Sequence, residues 1–197
     1  LLDLINAQLN DDMDVQVTVI GEDSDETYSI ENELHKYGVY VTRLKGPRMF
    51  NLFSYFAMYS KFRNEEFDII HSHQPRSDFM VYIVQKYLSK KSKWIVSVHG
   101  KYDTYLEKGT VSNNLRKFFM KRLSKQWKSA SSIIAISEEV KSWIKGLNKE
   151  LNVVVIPYWI DIKSSNSVEK KEFATLGFLG RLNVNKGIED LINALNS

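Results

Sequence analysis

The chain has no cysteine, only 3 prolines and only 9 glycines among 197 residues. Without cysteine there are no disulfides, no thiolate nucleophiles and no cysteine-ligated zinc. The absence also suits a reducing compartment. So little proline and glycine excludes low complexity and long disordered linkers. No uncharged apolar run approaches the ~18 residues that a membrane-spanning helix needs. Residues 1–10 are polar-interrupted and lack a signal-peptide layout. There is no G-x-S-x-G elbow, Walker loop, G-x-G-x-x-G fingerprint or repeat of fixed period. A net charge of +3 is mild, and no nucleic-acid partner is expected from it.

What remains is ordinary globular material, 43% hydrophobic and 26% charged. The length is about one and a third domains at ~150 residues each. The sequence opens at Leu1 and closes at Ser197 within an apolar-periodic segment, so a piece of a longer protein is expected.

The hydrophobic period switches repeatedly. Strand-like runs fall at 15–20 (VQVTVI), 39–44, 67–71, 93–99 (KWIVSVH), 132–136 (SIIAI) and 152–156 (NVVVI). Helical spacing falls at 1–9, 30–37, 50–62, 77–88 and 112–129. Gly38 is placed to close the second helix, and Ser137 to cap one whose first turn carries Glu138 and Glu139. Short strands alternating with helices predict an α/β fold, a Rossmann-like doubly wound parallel sheet, over residues 1–162. Residues 163–172 (KSSNSVEKKE) read as a linker. Residues 173–197 read as the first βα unit of a second Rossmann-like domain, with a strand at 173–179 and a helix carrying Ile188, Leu191, Ile192 and Leu195 on one face.

In doubly wound sheets ligands sit at the carboxyl ends of the strands. There stand His71 and His73, then His99-Gly100, then Ser137-Glu138. Two histidines at i and i+2 share a face, so zinc is weighed, but no third ligand stands at suitable spacing for it. His71 reads as a core histidine bonded to backbone, and His73 as the better cleft residue. A neutral imidazole at His99 can exchange a hydrogen bond with a sugar hydroxyl near pH 7. In the second unit, Gly180, Arg181, Lys186 and Gly187 follow a strand and precede a helix. That is either an anion site, with a fork and a point charge at a helix start, or an exposed loop with two surface cations. The helix at 112–129 carries Arg116, Lys117, Lys121, Arg122, Lys125 and Lys128 and no acidic residue. It reads as the solvated face of a core-packed helix, with contact to an anionic membrane as the alternative.

Together these segments resemble the retaining, nucleotide-sugar-dependent glycosyltransferases of family 4, with the GT-B fold. The carriers are Phe67-Asp-Ile-Ile-His-Ser-His73, Val98-His99-Gly100, Ala135-Ile-Ser137-Glu138, Val155-Ile-Pro157-Tyr-Trp-Ile-Asp161, Gly180-Arg181-Leu182 and Lys186-Gly187. The resemblance implies an N-terminal acceptor-side domain lacking its first strand, followed by the start of a nucleotide-sugar-binding domain. Arg181 and Lys186, with Gly180 and Gly187, would grip the donor diphosphate in place of a metal. His99 would lie beside the transferred sugar. His73, Gly100, Ser137 and Glu138 would line the acceptor side. A UDP- or GDP-linked sugar would be the donor and a saccharide or lipid-linked molecule the acceptor, with no cofactor. The expected role is cell-envelope polysaccharide or glycolipid synthesis, in the cytoplasm or at the inner face of the membrane. This stretch alone is expected to be inactive. Tyr158-Trp159 stands where the family has Asn-Gly. The other readings are a GT-B nucleotide-sugar epimerase and a non-catalytic module docking on membrane.

Overall fold

The computed structural model describes residues 2–21, 25–45, 52–87, 92–102, 113–159, 176–180 and 187–195. They fall into two compact units, Leu1–Ile160 and Asp161–Ser197. In the first, helices and strands alternate: α1 (Leu2–Asn10), β1 (Gln16–Gly21), α2 (Asp25–Lys36), β2 (Tyr40–Lys45), α3 (Leu52–Asn64), β3 (Ile69–His73), α4 (Pro75–Tyr87), β4 (Lys93–Val98), α5 (Asn113–Trp127), β5 (Ser132–Ala135), α6 (Glu138–Leu147) and β6 (Val153–Val155).

Local chemistry explains the boundaries. Gly38 takes φ +73° after α2, and the Val39 amide donates back to the Leu34 carbonyl at 3.1 Å, closing the helix. Pro75 opens α4, where its missing N–H costs nothing. Ser137 caps α6, its hydroxyl accepting from the Val140 amide at 3.2 Å. Two elements differ from the sequence reading. The α2 helix starts at Asp25 rather than at residue 30. The β3 strand runs two residues further than 67–71, which brings His73 into the strand.

All strand pairs are parallel, as the α/β reading requires. The single doubly wound sheet, however, is two sheets, β1–β2 and β3–β4–β5–β6. The reason is that β1 and β3, which would be its inner members, do not pair with each other. The larger sheet holds the main core. Trp94, Val96 and Val98 on β4 are fully buried and pack with Trp127, Ile133 and Ile144. Nearly every residue of β4 is covered because helices lie on both faces. A smaller cluster joins Ile5 of α1 and Leu34 of α2 to Val39, with Val17 and Val41 beside it. On the other face of β1–β2, Met58 and Phe62 of α3 join Leu44 to the main core.

In the second unit the expected strand at 173–179 is corrected in part. Residues 176–179 carry no strand pairing, and 173–175 lie outside the described residues. A strand exists by pairing, and no partner strand stands among the described residues of this unit. The helix forms as α7 (Ile188–Leu195), with none of its residues buried and Ile192 and Leu195 exposed. The linker at 163–172 lies outside the described residues.

Candidate functional site

Parallel pairing brings the carboxyl ends of β3 and β4 side by side, with His73 opposite Ser97. Alternation puts His71 and His73 on one face of β3 and Ser72 on the other. Four rings then form a row. His71 and His73 have ring centres 4.3 Å apart. His73 stacks on His99 at 5.2 Å and 17°, and its Nδ1 lies 3.0 Å from His99 Nε2. His99 in turn stacks on Tyr158 at 5.7 Å and 14°, with the Tyr158 hydroxyl bonded to His99 Nδ1. At the inner end, His71 Nε2 bonds the Ser97 hydroxyl at 2.8 Å. Where the sequence reading gave His71 a backbone partner, its Nε2 bonds the side chain of a serine one strand over.

Burial governs the protonation of the row. Desolvation, then the charge of His99, lowers the His71 pKa to about 4. Desolvation, then its histidine neighbours, lowers His73 to about 3. His99 is lowered as well, first by burial. All three imidazoles are therefore neutral at pH 7, each offering one donor and one acceptor. The bonds between Tyr158, His99 and His73 can run in either sense and reverse together, because each neutral ring that accepts at one nitrogen donates at the other.

The opposite face of β3 is anchored below the row. Ser72 donates to Asp78 Oδ1 at 2.7 Å, Trp94 Nε1 donates to the Ser72 hydroxyl at 2.8 Å, and Trp127 Nε1 donates to Asp78 Oδ2 at 3.0 Å. Asp78 is fully buried, and desolvation raises its pKa to about 7 against the two hydrogen bonds that lower it. This network fixes the strand that carries both histidines. Sequence reasoning missed it, since a lone aspartate in a helix shows its purpose only when its partners arrive from two other elements, β3 and α5. It also missed Gln74, which takes φ +80° between His73 and Pro75. There the Ser77 hydroxyl donates to the carbonyls of His73 and Gln74, the latter at 2.9 Å. A left-handed non-glycine residue at the end of a site strand is stored strain.

The other expected residues are placed as follows. Gly100 directly follows His99 at the strand end. The Ser137 hydroxyl is used by the cap of α6, and exposed Glu138 lies 3.6 Å from Lys141. Its neighbour Glu139 accepts from Lys101 at 2.6 Å, tying the chain after His99 to the start of α6. Gly180 is exposed and packs under the ring of Phe178. Gly187 takes φ +67° and its carbonyl accepts from Leu191 at 3.0 Å, starting α7. Arg181 and Lys186 lie outside the described residues. Among the described residues no three His, Asp or Glu side chains are grouped to hold a metal ion.

The apolar stripe of α5 divides. Leu123 and Trp127 enter the core, while Leu115, Phe118 and Phe119 stay exposed among Lys117, Lys121 and Arg122. No helix among the described residues is long and apolar enough to cross a membrane.

In open α/β sheets ligands bind at the carboxyl ends of the strands, the edge on which these rings stand. The sequence profile of Glycosyltransferase Family 4 matches residues 1–164. The chain belongs to glycosyltransferase family 4, and its first unit is that family's domain. No curated protein matches the chain.

Proposed function

We propose that this domain is the acceptor side of a retaining transferase of GT-B architecture that moves a sugar from a UDP- or GDP-linked donor. The observation that carries the reading is the row His71–His73–His99–Tyr158 at the carboxyl edge of a parallel sheet, held neutral by burial. Neutral imidazoles suit the hydroxyls of a sugar, which need a donor and an acceptor but no charge. His99 sits beside the transferred sugar, while His73 and Gly100 face the acceptor. Arg181 and Lys186, flanked by Gly180 and Gly187, neutralise the diphosphate as negative charge develops on the leaving group, so no metal is needed. Removing one such electrostatic donor costs on the order of 10²–10³ in kcat.

The acceptor is lipid-linked in this reading, and the process is cell-envelope polysaccharide or glycolipid synthesis at the inner membrane face. The supporting observation is α5, which exposes Phe118 and Phe119 between basic residues, as a surface resting on anionic lipid does. The test is transfer from UDP- and GDP-sugars by the intact transferase, with His99→Ala, Arg181→Ala and Lys186→Ala beside it. Each variant is expected to lose activity at least about a hundredfold. Full activity in Arg181→Ala and Lys186→Ala sinks the diphosphate clamp. Epimerised donor in the absence of acceptor identifies an epimerase instead.

A further inference from the structure

We propose that Tyr158 is a positioning residue of this site: its phenol donates to His99 Nδ1 and thereby fixes the sense of the hydrogen bonds along the histidine row. Tyr158 is a position at which the chain departs from the Asn-Gly of its family. The local structure explains how it reaches the row. Val153–Val155 of β6 pair with Ile133–Ala135 of β5, and the Ile156 amide extends the ladder to the Ala135 carbonyl at 2.9 Å. Pro157 has no N–H, so the ladder ends there. His99 follows β4, on the far side of β5. Two strand intervals, roughly 10 Å, separate β6 from β4. The long side chain of Tyr158 helps to bridge that gap, and its hydroxyl meets His99 Nδ1.

Both ring nitrogens of His99 are engaged. Nδ1 meets the Tyr158 hydroxyl, and Nε2 meets His73 Nδ1 at 3.0 Å. A neutral imidazole carries one N–H, so the two bonds are a single choice. In one sense the phenol donates to Nδ1 of His99, whose Nε2–H donates to His73. In the other, His73 donates to Nε2 of His99, whose Nδ1–H donates to the phenol oxygen. The phenol decides between them. Its O–H is the more acidic donor, with an ordinary pKa of about 10, and imidazole nitrogen is the more basic acceptor, with one of about 6.5. The phenol oxygen shares its lone pair with the ring and accepts poorly. The first sense pairs the best donor with the best acceptor.

The consequence falls on His73. With its Nδ1 accepting from His99, its proton stands on Nε2. A ligand that meets His73 there meets an N–H donor, and the ligand's oxygen accepts. Neither His99 nor His73 keeps a lone pair with which to take a proton from a hydroxyl. The pair therefore orients a ligand oxygen and is not its base. His71 stands outside this choice, since its Nε2 is held by the Ser97 hydroxyl at 2.8 Å. Tyr158 acts on the ligand through His99 and His73. That the ligand oxygen belongs to a sugar hydroxyl rests on the function proposed above.

The test labels the histidines of the 197-residue chain with nitrogen-15 and reads each ring's tautomer from long-range proton–nitrogen spectra at pH 7.5, with no sugar or nucleotide present. Exposed His35 on α2 is the internal reference. The ratio of Nε2–H to Nδ1–H at His99 and His73 is expected to exceed that at His35 about fivefold or more. Tyr158→Phe keeps the ring and loses the hydroxyl, and in it His99 returns to the His35 ratio, as it does in Tyr158→Ala. Tyr158 is 65% exposed, so neither variant opens the core. His71 keeps its tautomer in both. Three results overturn the proposal: His99 at the His35 ratio or in the Nδ1–H form in the parent, His99 unchanged in Tyr158→Phe, or an equal shift at His71. The spectra need no substrate, so their failure strikes Tyr158 and leaves the transferase reading in place. Absence of sugar transfer by the intact protein strikes that reading and leaves the assignment of Tyr158.

Discussion

Gln74 and the histidines around it show what one residue decides. Gln74 holds φ +80° at the strand end, a conformation glycine reaches freely and glutamine does not. Replacing it by glycine is expected to stabilise the domain by about 0.5–1 kcal/mol, read as a higher urea midpoint. A lower midpoint removes the strain argument. His71 and His73 titrate in the folded state near 4 and 3, below their ordinary value of 6.5. Between those values the unfolded chain binds more protons than the folded one. The stability they contribute is present above pH 6.5 and is lost as pH falls toward 4. The urea midpoint should therefore drop on acidification across that window, less steeply in His73→Gln. Pattern alone revealed that His71 and His73 share a face and that His99 follows a strand. It did not reveal the stack, because Tyr158 comes from 59 positions beyond His99.

At the scale of elements, β3, α4, β4 and α5 meet at Asp78. Its folded pKa of about 7 lies above its ordinary 3.8. The folded state binds the extra proton between those values, so this contribution is present below pH 3.8 and is lost as pH rises through 7. It opposes the histidines. In Asp78→Asn the opposing slope is gone, and stability measured by urea from pH 4 to 7.5 should rise more steeply than in the parent. An unchanged slope means Asp78 is ionised in the fold. The α5 helix makes a separate prediction. Phe118→Ser with Phe119→Ser removes exposed apolar area without touching Leu123 or Trp127 in the core. Binding to vesicles containing anionic lipid, followed by flotation, should fall severalfold while thermal stability holds. No lipid-dependent flotation of the parent ends the membrane reading. Both elements were visible as periodic segments. Which part of the α5 stripe is core was not, since periodicity marks a face and not its neighbour.

Across the whole molecule the first unit has a core of large side chains, while none of the described residues of the second is buried. Trp94, Val96 and Val98 are fully buried, while every described residue of α7 keeps solvent contact. Amides of α7 should therefore exchange at least ~100-fold faster than those of β4 in the chain as it stands. Comparable protection in the two would mean that α7 has found a cover. The two short sheets of the first unit belong to the same scale. Each is parallel and each is helix-covered, and β1 and β3 pair with β2 and β4 rather than with each other.

The amino-acid sequence by itself determined the order of strands and helices, the caps at Gly38 and Ser137, the parallel class of the fold and the family. Each of these follows from local periodicity or from short motifs that residues carry wherever they stand. The tertiary structure alone decided that the strands form two sheets and that a tyrosine closes the histidine row. It also decided that a buried aspartate is braced by a tryptophan and a serine, the serine itself accepting from a second tryptophan. Those facts depend on residues tens of positions apart meeting in a low-dielectric interior. There proximity sets both the hydrogen bond and the protonation state, and spacing along the chain carries no record of either.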